Sequence, residues 1–226
     1  GGSALETGRD SVVGAIESTG SGIQFFGDLT LGASATLDSL AAADTVVVDG
    51  NTTLGSGASI GAITGNGSGI DLDGDVTLGN AASLGALQAS GSLILAGSGG
   101  VLSLGNSASI ASLTDFGTAK APGASNGIEI GEGGITLASG ASIGAISGSG
   151  SIQFGESSAI TLGSGATLAG VTAHSGSITF SGNLTLESGA SIGDLAAASG
   201  VFFDGTVNLA SGASIASGNT IDGGAG

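Results

Sequence analysis

Eight times along this chain a triplet of the form Leu-Thr-Leu is followed at a fixed distance by Ala-Ser-Ile or a close variant. "LTLGASATL" from Leu29, "VTLGNAASL" from Val76 and "LTLESGASI" from Leu184 show the form. The triplet centres are Thr30, Thr53, Thr77, Ser103, Thr136, Thr161, Thr185 and Asn208, with spacings of 23, 24, 26, 33, 25, 24 and 23. Six residues after every centre comes the Ser or Thr of the second element: Thr36, Ser59, Ser83, Ser109, Ser142, Thr167, Ser191 and Ser214. An aliphatic residue follows at once, and in seven copies another stands three further on, as at Leu40, Ile63 and Leu195. An apolar-x-apolar unit completes each period, as in Ile23/Phe25, Val46/Val48 and Ile178/Phe180. Near the N-terminus, "LETGRDSVVGAI" aligns Glu6 with the Thr centres and Val13/Ile16 with the aliphatic pair, which makes nine units, the first without its opening strand.

A fixed period of 20–50 residues is the signature of a solenoid or array. Each unit holds three short stretches of period-two alternation, the strand pattern. Gly, Ser, Asn and Asp separate them, where turns need positive φ or local side-chain hydrogen bonds. The expectation is an all-β chain: a single parallel β-solenoid domain over 1–226, of about nine coils with about 24 residues and three short strands per coil. Leu29 and Leu31 should face the interior and Thr30 solvent. One coil cannot bury its apolar side alone, but stacked coils share a continuous core. A helical reading of Ala-rich stretches such as "IGDLAAASG" fails on the frequent glycines, each costing about 1 kcal/mol in a helix interior.

Composition narrows the function. The 226 residues include 48 Gly, yet 40% of the chain is apolar, which is unlike the low hydrophobicity of disordered chains. Eighteen acidic residues against two basic ones, Arg9 and Lys120, give a net charge of −16. Nucleic acids and anionic membranes call for clustered Lys and Arg, so neither is an expected partner. No run approaches 18 consecutive apolar residues, so no membrane insertion is expected. The chain lacks Cys and Met and opens at Gly1 without a basic-plus-apolar leader. That is the expectation for a secreted protein, at the cell surface or beyond it, whose signal peptide has been removed.

Candidate chemistry is sparse. Asp71, Asp73 and Asp75 in "GSGIDLDGD" alternate like the start of a calcium loop, which makes them the only metal candidates. No bidentate Glu follows, and turn chemistry at a strand corner is the competing explanation for these residues and for Asp28, Asn51 and Asn183. His174 is the sole histidine, so neither a transition-metal site nor a Ser/His/Asp arrangement has its parts, and no enzyme and no other cofactor is expected. The Thr file resembles an ice-binding array, but Leu flanks each Thr where such arrays pair two Thr files. The 33-residue spacing marks an insertion within Thr114–Gly127, which carries the only Pro, the only Lys and an extra Phe. It reads either as a tolerated loop or as a contact through Phe116 and Lys120 with a filament neighbour, a receptor or a surface glycan.

Solenoid ends are rows of unpaired backbone groups that template further pairing. Leu5, Glu6, Val13 and Ile16 stand at one end and Ile215 and Ile221 at the other, without an amphipathic helix or charged cap in the sequence. Glu6 and Asn208 are 202 residues apart in a chain of 226, so a second copy set head to tail places Asn208 and the next Glu6 24 residues apart, one mean period. Ile221 then supplies the strand the first unit lacks.

Gly/Ala/Ser-rich coils such as "NLTLESGASI" resemble those of parallel β-helix surface proteins of bacteria, the autotransporter passengers and filamentous-haemagglutinin-like adhesins. The resemblance covers nearly the whole chain and implies secretion and a role in adhesion or matrix. Those proteins commonly use shorter coils and carry a translocation segment that is not found here. The leading expectation is a non-enzymatic extracellular structural subunit that stacks head to tail on itself into filaments of a matrix, sheath or surface fibre. An adhesin using the 114–127 loop is the alternative, and ice binding comes third.

Overall fold

A computed structural model describes residues 4–117, 127–156, 158–217 and 221–223. All regular structure among them is β, and every pairing is parallel. The strands form three sheets that run the length of one β-solenoid. Nine rungs on each face make about eight full turns, about 24 residues apart.

The first face stacks the Leu-Thr-Leu strands, beginning at Leu5–Thr7 and ending at Val207–Leu209. Its register is the one the repeat implies: Glu6 pairs with Thr30, Thr77 with Ser103, and Thr185 with Asn208. Leu29 and Leu31 are buried on either side of Thr30. The third face stacks the apolar-x-apolar strands from Ile23–Phe25 to Ile221–Gly223, the latter pairing with Val201–Phe203.

The second face differs from the expected short strand. In most coils it is a seven-residue strand, such as Thr36–Ala42, Ser83–Ala89 and Ser142–Gly148. Leu37, Leu40 and Ala42 are buried there, while Asp38 and Ser39 between them both lie on the outer side. Two successive outward residues bend the strand, and this bend accounts for the three-residue spacing of the aliphatic pair. A Cβ on Gly61, at the bend one coil on, would lie 1.9 Å from the Asp38 carbonyl oxygen, so glycine there admits the close approach of two backbones. Two rungs of this face are split: Val12–Val13 and Ile16–Ser18 both pair with Thr36–Ala42, and Thr167–Leu168 and Val171–Ala173 both pair with Ser191–Ala197.

The invariant six-residue offset is the corner between the first and second faces. There a backbone N–H reaches back three residues, as from Ala35 to Gly32 O at 3.1 Å and from Ala58 to Gly55 O at 3.0 Å. The residue before that alanine is left-handed: Gly57 (φ 68), Gly140 (φ 66) and Gly189 (φ 69), but also Ser34 (φ 57), Ala81 (φ 55) and Ser107 (φ 56). Its N–H reaches the following coil, from Gly57 to Asn80 O at 2.9 Å and from Ala81 to Asn106 O at 2.9 Å. A turn that bonds both within and between coils tolerates no insertion. The alanines of Ala-Ser-Ile close the core at this corner, with Ala35, Ala58, Ala108, Ala141, Ala166 and Ala190 fully buried. A single hydrophobic core then runs the length of the stack.

Candidate functional site

Three places were singled out by sequence: the aspartates 71–75, the insertion, and the two ends. The first lies at the corner between the third and first faces. Asp28 Oδ1 accepts the N–H of Asn51 at 2.8 Å, Asn51 Oδ1 accepts that of Asp75 at 3.0 Å, and Asp75 Oδ1 accepts that of Val101 at 2.9 Å. Asn183 repeats the bond to Thr206 at 3.0 Å. Each side chain thus satisfies a backbone donor of the coil above: Asp28, Asn51 and Asp75 form a continuous inter-coil ladder that ends at Val101, and Asn183 makes a separate rung of the same kind. Asp73 Oδ1 accepts from the Ser98 hydroxyl at 2.5 Å. Asp71 sits in the outward file of the third face, and its Oδ1 is buried with no hydrogen-bond partner. Burial, and next the Asp73 and Asp49 charges, hold its carboxyl above the usual carboxylate range. Two rungs on, beyond Ile94, Glu129 is raised likewise, first by burial and then by Glu132. Among the described residues no three His, Cys, Asp or Glu side chains are grouped to hold a metal ion. Asp49, Asn51, Asp73, Asp75 and Ser98 instead line a shallow acidic groove.

The insertion is described only at its root. Asp115 occupies the last inward position of the second face, where Ala89 and Gly148 stand in the coils on either side, and is 3% exposed. Its Oδ1 accepts the Gly117 N–H at 2.7 Å and its Oδ2 accepts the Ser149 hydroxyl at 2.7 Å. This buried carboxylate escaped the sequence reading, because Ser149 is 34 residues away and no local pattern announces the pair. Phe116 next to it is 64% exposed. Lys120 lies outside the described residues. One coil on from Ser147, His174 Nε2 lies 3.1 Å from the Ser147 hydroxyl. The pair is exposed, and among the described residues no carboxylate bonds the other ring nitrogen.

At the ends, residues that are core elsewhere are uncovered. Val207 is 39% exposed and Leu209 51%, whereas Leu184 and Leu186, one rung below in the same files, are wholly buried. Leu5, Val13 and Ile16 at the opposite end, and Ile215 near the last rung, are only partly buried against the core. Ile221 continues the third face through its backbone pairing with Val201. Among the described residues, each end rung presents one side of three parallel strands that pairs with no further strand, in the register that the interior rungs use. Compared with known proteins, the chain matches no family model, no curated protein and no solved structure.

Proposed function

We propose that this chain is a non-enzymatic structural subunit whose coils stack end to end on further coils, in filaments of an extracellular matrix, sheath or surface fibre. The observation that carries the reading is the exposure of Val207 and Leu209 at positions that one rung below are fully buried. An edge of unpaired parallel strands over an open apolar core takes another coil of the same register. The likeness of the coils to autotransporter passengers and filamentous-haemagglutinin-like adhesins, and a chain without Cys or Met, favour an extracellular setting. Electron microscopy of the purified chain tests the reading: unbranched threads one solenoid wide are expected. Short rods about 40 Å long, the height of nine rungs, at every concentration would refute it.

A second reading, a binding module using the 114–127 loop, is favoured by the exposed Phe116 above the buried Asp115 that pins the loop root. Deleting residues 118–126 separates the two. Loss of adhesion with threads intact supports the module, and no change in adhesion argues against it.

A further inference from the structure

The three faces of the solenoid are unequal. First- and third-face strands have three or four residues, whereas an uninterrupted second-face strand has seven. A cross-section with three unlike sides is superposed on another only by moving along the axis. Turning a copy end over end about a two-fold axis lays one face on itself and exchanges the other two. At the first rung the second face runs from Val12 to Ser18 as two short strands, so its longer side then lies across from a strand of three residues such as Leu5–Thr7, and two faces lose their pairing. On the first face the same turn sets Glu6 against Glu6, since Glu6 is the centre of its strand, and like charges directly opposite destabilise a strand pair. Translation instead brings Glu6 over Asn208, Leu5 over Val207 and Val13 over Ile215, apolar on apolar and an amide beside a carboxylate.

We infer that the end-to-end contact is polar and open. The rows Leu5–Thr7, Val12–Val13 and Ile23–Phe25 of one copy seat in parallel on Val207–Leu209, Ser214–Ser217 and Ile221–Gly223 of another, and like ends never pair. The inference rests on the filament reading and specifies its partner, a second copy in one orientation. The chain's own coil-on-coil contact is the template, continued unchanged across the junction. Such a heterologous contact does not close, so growth proceeds from both ends without a symmetric dimer as intermediate.

The file of Thr36, Ser59, Ser83 and Ser191 provides the test, because Val12 and Ser214 are its outermost members. Neighbouring rungs stand about 4.8 Å apart, within the Cα separation that a disulfide spans, and the chain has no cysteine of its own. Val12→Cys protein and Ser214→Cys protein are purified reduced, mixed under mild oxidation and weighed intact. The expected dominant product joins one of each, with neither homodimer formed in the mixture or by either protein alone. Homodimers forming as readily as the mixed product overturn the polarity. Wild-type threads without any disulfide in the mixture overturn the register. No threads and no disulfide overturn the filament reading itself. A Thr36→Cys, Ser59→Cys chain serves as control, since its intramolecular bond must close for a missing intermolecular one to count.

Discussion

Phe154 and Phe180, 26 residues apart, stack with ring centroids 4.6 Å apart and planes 5° from parallel, and Phe203 extends the stack at 4.9 Å. The in-register third face brings the rings together, because Phe154 pairs with Phe180 and Phe180 with Phe203. Phe180 is wholly buried between two rings, whereas Phe203 is only partly buried. Phe180→Ala should cost about 3–5 kcal/mol in urea unfolding. Phe203→Ala should cost clearly less. Equal costs would show that the last rungs are covered as well as the middle ones.

Ala81 holds a left-handed backbone at the six-residue corner, where Gly57, Gly140 and Gly189 do the same work in other coils. A left-handed conformation costs an L-residue roughly 1–2 kcal/mol, partly offset by the greater freedom of glycine in the unfolded chain. Ala81→Gly should therefore raise stability, by about 0.5–1 kcal/mol on the same scale. Thermal or urea melts of the two chains decide it, and a loss of stability would contradict the corner geometry.

Thr52 lies in an inward file whose neighbours are Leu29 and Val76, is 0% exposed, and its Oγ1 has no hydrogen-bond partner. A buried donor without a partner costs about 1–3 kcal/mol. Thr52→Val keeps the shape and removes the hydroxyl, so the midpoint of urea unfolding should move up. A lower midpoint would mean that the hydroxyl is satisfied.

Asp71 and Glu129 have folded pKa values above their unfolded ones, for burial first and neighbouring carboxylates second. In the window between the two values the folded chain binds the extra proton, so these groups lower stability as pH rises through it. Their penalty is fully present above the raised values and absent below the ordinary carboxylate range. Asp71→Asn and Glu129→Gln should flatten that part of a stability–pH curve and stabilise the chain at neutral pH. Variants that leave the curve unchanged would show both carboxylates to be as well solvated folded as unfolded.

The parts of the fold legible in sequence are those made by local chemistry repeated in phase. The Thr30-to-Thr36 offset is constant because a bonded corner allows one length, and period-two burial follows from the pleat. The Asx residues at 28, 51 and 75 were legible as turn chemistry, but not the inter-coil direction of their bonds, which depends on stacking. The Leu37–Leu40 spacing did not reveal one bent strand, because two aliphatics three residues apart break the period-two alternation of a strand and match a helix face instead. Asp115 with Ser149, and Ser147 with His174, meet only because coils stack, so nothing nearby in sequence marks them.

Sedimentation of the wild-type chain over a wide concentration range tests the open stack most directly. A series of species at successive multiples of 20.7 kDa, lengthening as concentration rises, is the predicted result. A single 20.7 kDa species throughout, or a dimer that grows no further, would contradict it.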